Sequence, residues 1–95
     1  MRYRLTRSAR RDLEEISSYS TERWGAERAK VYLSALIARF AWLPRNRSLW
    51  RAREDIREGL FSYRESQHII YFRSHREGIE IVRVLHARMD PDRHL

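Results

Sequence analysis

Two adjoining apolar runs, HIIYFR (68–73) and IEIVRVL (79–85), constrain the fold of this chain more than any other feature. They are joined through Ser74, His75, Arg76, Glu77 and Gly78, a spacing that predicts an antiparallel hairpin with a loop closed by glycine. Ile69, Ile70, Tyr71 and Phe72 are continuously apolar, as are Val82, Val84 and Leu85 with Ile81, which suits interior strands covered on both faces. Beyond the hairpin, residues 86–95 hold too few apolar side chains to form an element of their own. That tail nevertheless carries His86, Arg88, Met89, Asp90, Pro91 and His94, a chemically varied set for a short stretch.

Upstream the pattern changes twice. Residues 2–6 alternate polar and apolar side chains, with Tyr3 and Leu5 on one face, and predict a short edge strand. From Ser8 onward Ala9, Leu13 and Ile16 recur at spacings of four and three and Tyr19 continues the series, predicting a helix capped by Thr6 or Ser8 and ended by Gly25. Asp12, Glu14 and Glu15 lie in its first half, where the helix dipole favours carboxylates. A second helix runs from beyond Gly25 to Leu43, because Pro44 lacks the amide proton needed to continue it. Ala29, Leu33, Leu36, Ile37, Phe40 and Leu43 form its expected core stripe. Val31, Ala35, Ala38 and Trp42 form a second stripe on roughly the opposite side, and one core cannot bury both. This second set reads as a docking surface for another chain, against the plainer alternative that arginine stems such as Arg39 cover it.

Residues 44–54 have no clear period and carry Arg45, Arg47, Arg51 and Arg53 around Leu49 and Trp50, as a basic connecting loop would. Residues 55–57 and 60–65 resemble a strand pair or one strand bent around Gly59. The expected order is therefore β-α-α-β-β-β, an α+β fold in which a helical hairpin lies on one face of an antiparallel sheet. No linker or repeat divides residues 1–95, so a single domain is expected.

Composition removes several classes of function. At 95 residues, with 42% apolar and 35% charged side chains, the chain can bury one modest core. The absence of cysteine excludes disulfide staples and thiolate metal sites, and makes a reducing cytoplasm the default location. No run approaches bilayer-spanning length. The three glycines stand too far apart to cradle a phosphate, and no nucleophile elbow frames a serine. No histidine pair has metal-site spacing, so neither metal nor cofactor is expected. The net charge of +7 rests almost wholly on arginine and is concentrated in residues 1–48, which hold eleven basic and five acidic side chains. Arginine forks suit phosphate or carboxylate, so nucleic acid and acidic protein segments are both candidate partners.

The sequence resembles the RelE/ParE toxin superfamily, and within it the ParE-type toxins of bacterial type II toxin–antitoxin systems. The resemblance covers nearly the whole chain and rests on ARRDL (9–13), Tyr19 with TERWG (21–25), AKVYL (29–33), the 59–64 strand, HIIYFR (68–73) and IVRVLHARMDPDRHL (81–95). It implies a small toxin neutralised by a cognate ParD-like antitoxin, with DNA gyrase as the target, whereas RelE-like relatives cut messenger RNA on the ribosome.

Cleavage of RNA through its 2′-hydroxyl requires a base, an acid and cations around the phosphate. Arg64, Arg83 and His86 are the candidates for those parts, with Arg73 and His94 as further candidates. RelE-like nucleases tend to display a cluster of lysines and arginines with a tyrosine, or a paired glutamate and histidine, near the C-terminus, and this tail has no tyrosine and no lysine. The stronger expectation is stoichiometric inhibition of gyrase without catalysis by the toxin, with Arg83, His86, Arg88, Met89, Asp90, Pro91 and His94 meeting the target. Antitoxin binding is expected in the groove between the helical hairpin and the sheet, with Arg57, Arg64 and Arg73 nearby, or alternatively on the Val31, Ala35, Ala38 and Trp42 stripe. A basic nucleic-acid-binding module is the third reading, supported by charge and aromatics but lacking a recognition-helix motif.

Overall fold

A computed structural model describes residues 2–95. Strand β1 (Arg2–Leu5) leads into helix α1 (Arg7–Trp24), which turns at Gly25 into helix α2 (Ala26–Trp42). Thr6 caps α1, its hydroxyl accepting from the Ala9 amide at 3.0 Å. Gly25 adopts φ 91°, a conformation open to glycine at little cost, and so serves both as the end of α1 and as the entry to α2. Leu43 and Pro44 then tighten the chain into a short 3-10 turn.

The remaining strands are β2 (Arg51–Ala52), β3 (Phe61–Glu65), β4 (His68–His75) and β5 (Gly78–His86), and the chain closes with a helical turn, α3 (Pro91–His94). The sheet order is β1-β5-β4-β3-β2, antiparallel throughout except that β1 runs parallel to β5. The α+β architecture matches the sequence expectation, and β4 and β5 indeed occupy the interior. They extend further than their apolar runs, leaving only Arg76 and Glu77 between them, with Arg76 at φ 43°. Gly78 is required for a different reason: a Cβ there would lie 1.7 Å from the Arg2 carbonyl oxygen of β1.

Three local expectations fail, and the first is the tail, expected to form no element: Asp90 caps and Pro91 opens the helical turn α3. The strand beside β3 lies at Arg51–Ala52, inside the stretch read as a loop, while residues 54–59 form turns. Trp50 explains this, because its indole donates to the Leu43 carbonyl at 2.8 Å and its ring packs on Phe61 and Phe72, pulling the following residues alongside β3. Ile37, assigned to the core stripe of α2, is 43% exposed; Leu36 and Phe40 fill the buried stripe and the helix turns Ile37 away.

A β-bulge opposite Tyr71/Phe72 leaves Val82 of β5 unpaired, so β5 changes alternation there, turning Ile79 and Ile81 but then Val84 inward, while β4 keeps Ile70 and Phe72 inward. The inner face, under the helices, is a continuous core that includes Leu36, Phe40, Leu43, Ile70, Phe72, Ile79, Ile81 and Val84. The outer face holds a smaller cluster of Leu60, Tyr71 and Leu85, flanked by Ile56, Ile69, Val82 and Leu95.

Candidate functional site

The candidate residues gather at the end of β5, where β1 has stopped and the strand edge would otherwise be bare. Helix α1 closes that edge. The Thr6 amide donates to the Ile81 carbonyl at 3.0 Å, and its hydroxyl donates to the Val82 carbonyl at 2.8 Å. Two residues further along the strand, the Asp12 carboxylate accepts from the Val84 amide at 2.9 Å. Arg83 reaches the same carboxylate in a fork, Nε at 2.8 Å and Nη2 at 2.9 Å, while its Nη1 donates to the His94 carbonyl at 2.6 Å. Asp12 raises the affinity of the Arg83 guanidinium for its proton still further. Every nitrogen of Arg83 is therefore engaged, and the residue joins α1, β5 and the tail.

Asp12 is the residue that sequence reading missed. Its place in the first half of α1 suggests only a carboxylate favoured by the helix dipole, yet it is 5% exposed. The available signal is its stripe: α1 buries Ala9, Asp12, Ile16 and Ser20 together, and a carboxylate on such a stripe calls for a cationic partner.

The tail folds back over the outer face. The Ala87 amide donates to the Gln67 carbonyl at 2.9 Å, and the Arg88 amide donates to His86 Nδ1 at 3.1 Å. Asp90 caps α3 by accepting from the Asp92 amide at 3.0 Å, Pro91 occupies the first helical position, and Leu95 packs on the outer cluster. Arg88, Met89, Asp90 and His94 remain exposed or partly so, Pro91 half-buried.

His86 faces the helices instead. It stands opposite His68 on β4 with ring centroids 5.4 Å apart, and His68 Nδ1 lies 2.6 Å from the Tyr32 hydroxyl of α2. That hydroxyl oxygen also accepts from the Gln67 amide at 3.2 Å, which ties α2 to the β3–β4 turn. Burial, and after it the neighbouring His86, push the His68 imidazole down to about 4. Burial raises the Tyr32 hydroxyl in turn.

Of the three residues considered for RNA cleavage, Arg83 and His86 line one cleft with Asp12, Glu15 and His68, and Arg64 stands apart. Arg64 follows the core residue Tyr63 on β3 and therefore points from the outer face, where its Nε donates to the Ser66 carbonyl at 2.9 Å. His86 lies on the inner side, and Arg83 is fully occupied between them at the edge. Among the described residues no group of three His, Asp or Glu side chains is placed to hold a metal ion.

The arginines expected to serve an antitoxin are also differently placed. The centre of the space between hairpin and sheet is filled by Leu36, Phe40, Ile70 and Phe72, and clefts remain only toward its end, one between Trp24, Tyr32 and Gln67 and one between Ile16, His68 and His86; Arg57, Arg64 and Arg73 line neither. Arg64 and Arg73 alternate with core residues and project from the outer face, and Arg57 borders it beside Val82, Arg83 and Leu95. Arg73 is committed to Glu80 at 2.7 Å, which also receives Arg4 at 2.9 Å. Burial would raise the Glu80 carboxyl, but these two guanidinium groups outweigh it and hold the pKa below the ordinary range. Arg57 and Arg64 are free of carboxylate partners among the described residues. The second stripe on α2 is split: Val31, Ala35 and Ala38 are exposed, whereas Trp42 packs on Tyr63 with the Arg39 guanidinium 4.4 Å over its ring.

Comparison with known proteins identifies the frame in which these residues sit. The family model described as ParE toxin of type II toxin–antitoxin system, parDE, matches residues 3–91. Toxin ParE1 of Mycobacterium tuberculosis is 39% identical, the match covering 99% of this chain and 97% of that protein. Toxin ParE1 of Caulobacter vibrioides is 34% identical over 98% of this chain and 96% of its own length. Among solved structures, the chromosomal ParDE system from P. aeruginosa contains a chain that superposes with a TM-score of 0.77 at 20% identity, covering 90% of this chain and 95% of that one.

Proposed function

The chain belongs to the family of ParE toxins of type II toxin–antitoxin systems, and on that premise we propose that it inhibits DNA gyrase by stoichiometric binding and is neutralised by a ParD-like antitoxin. The observation that carries this reading over a nuclease is the dispersal of the candidate reagents. Acid–base cleavage needs its base, acid and phosphate cations around one bond, within hydrogen-bond reach of the reacting atoms. Here Arg64 and His86 stand on opposite faces of the sheet, and Arg83 spends its donors on Asp12 and the tail. Only Arg83 and His86 share a cleft, and Arg83 reaches it with its donors already spent.

What the molecule offers is surface. The side chains of Arg88, Met89 and His94 supply charge, a deformable apolar contact and a polar head on a tail held in one shape. This tail, with the adjoining edge of β5, is the element assigned to gyrase. The outer face is assigned to the antitoxin: Arg57 and Arg64 stand there without carboxylate partners among the described residues, and an acidic segment would complement them.

The test is a paired assay of the purified protein on gyrase supercoiling and on ribosome-programmed messenger RNA. Supercoiling is expected to stop while the transcript stays intact; a cut transcript with unaffected supercoiling overturns the reading. Removing residues 86–95 outright would also strip the cover from Tyr71 and Leu85, so Arg88→Ala with Met89→Ala is the cleaner probe of the tail. That double variant is expected to lose at least about tenfold in gyrase inhibition while retaining antitoxin affinity.

A further inference from the structure

We propose that Asp12 and Arg83 act as a bolt that sets the position of the C-terminal tail, and that toxicity depends on this bolt through the tail and not through direct contact with the target. The inference rests on the assignment of the tail as the toxic element. It adds two positioning residues, one of them on α1 and remote in sequence from everything assigned to the target.

Asp12 stands on the buried stripe of α1 at 5% exposure, and one of its oxygens accepts from the Val84 amide of β5. That bond ties the carboxylate to strand backbone, so its position follows from the fold and is independent of the tail. Arg83 docks on it bidentately, and a planar guanidinium held at Nε and Nη2 has its remaining nitrogen aimed in one direction. That nitrogen, Nη1, meets the carbonyl of His94. The tail between His86 and His94 has few other attachments: the backbone bond from Ala87 to Gln67, short-range turns around Met89 and Asp90, and the seat of Leu95 on the outer cluster. Of these, the Arg83 bond is the one that fixes the far end of the tail to a rigid group through a charged donor.

A stability role alone would require less. Asp12 and the Val84 amide satisfy each other at the strand edge, and an ordinary ion pair would be completed by any cation nearby. A lysine in place of Arg83 would supply that charge, but its compact ammonium cannot hold a two-point fork and reach a third acceptor in the same fixed geometry. Arginine alone supplies the fork on Asp12 and the third contact to the tail together.

Arg83→Lys is therefore the test, measured on the intact chain by growth arrest from a titratable promoter, by amide exchange across residues 88–95 and by antitoxin affinity. The bolt predicts that tail exchange rises at least about tenfold, growth arrest needs at least about tenfold more toxin, and antitoxin affinity stays within about twofold. Unchanged tail exchange overturns it, and so does faster exchange with undiminished growth arrest. Because the Arg83→Lys substitution could still perturb packing, the second measurement is epistasis: in the Arg88→Ala, Met89→Ala background, Arg83→Lys is expected to cost less than about threefold more. A full and independent loss in that background would mean that Arg83 does not act through the tail. Growth arrest does not presuppose the target, so failure of gyrase inhibition in vitro would refute the gyrase assignment and leave the bolt to be judged on these readouts.

Discussion

The two faces of the sheet are built from the same strands by different means. The inner face is sealed by two long helices and filled with Leu36, Phe40, Ile70 and Phe72, each with no exposed surface. The outer face has no helical layer; its centre is three buried side chains under a loop and a short tail, and its periphery is arginine. The contrast teaches where a small toxin can place its interactions. Most of the core lies on one side, which frees the other to carry cations and a pinned tail.

The sharpest way to break this comparison is to remove equivalent bulk from each side. Leu36→Ala on the inner face is expected to cost about 4–5 kcal/mol, toward the upper end for such a change, because a closed site cannot collapse around the cavity. Leu60→Ala on the outer face is expected to cost about 2 kcal/mol, near the lower end for such a change, since the loop above it can settle inward. Equal losses in denaturant melts would mean that both faces are core in the same sense.

A smaller effect follows from His68, which lies at the open end of the inner face. Its folded-state value of about 4 sits below the ordinary 6.5, so the unfolded chain binds a proton that the folded chain refuses. Stability from this group is fully present above about 6.5 and is lost as pH falls from there toward about 4. His68→Gln is expected to flatten that part of the stability profile; an unaltered slope would show that His68 titrates normally in the folded protein.

The smallest effect on stability belongs to the outer rim. Arg57→Ala and Arg64→Ala are each expected to change unfolding free energy by less than about 0.5 kcal/mol. Together they are expected to weaken antitoxin binding at least about tenfold, as the loss of two cations facing an acidic segment would. Unchanged affinity would remove the outer face from neutralisation and bring the exposed Val31, Ala35 and Ala38 surface back into consideration.

Much of this fold was legible because local signals agree with the global arrangement. Thr6, Gly25 and Pro44 mark helix ends through capping and backbone chemistry, and the hairpin of β4 and β5 follows from its apolar runs. Pairings decided at long range were not legible. That β1 lies parallel to β5, and that Arg51 and Ala52 join the sheet, depends on contacts such as that of Trp50 with Leu43 that no periodicity records. The site divides in the same way. Composition and order pick out the tail and Arg83, but the partner of Arg83 lies 71 residues away on α1. The facing of Arg57, Arg64 and Arg73 differs from expectation, because alternation says which residues share a face and not which face the helices will cover.

The central claim is that this toxin works by occupancy. Its most direct test is a titration of supercoiling activity against toxin, with gyrase held well above the dissociation constant. Occupancy predicts a linear fall to an end point at a fixed molar ratio of toxin to gyrase, with activity restored when antitoxin is added. Complete inactivation by a small fraction of an equivalent, or inactivation that antitoxin cannot reverse, would contradict it.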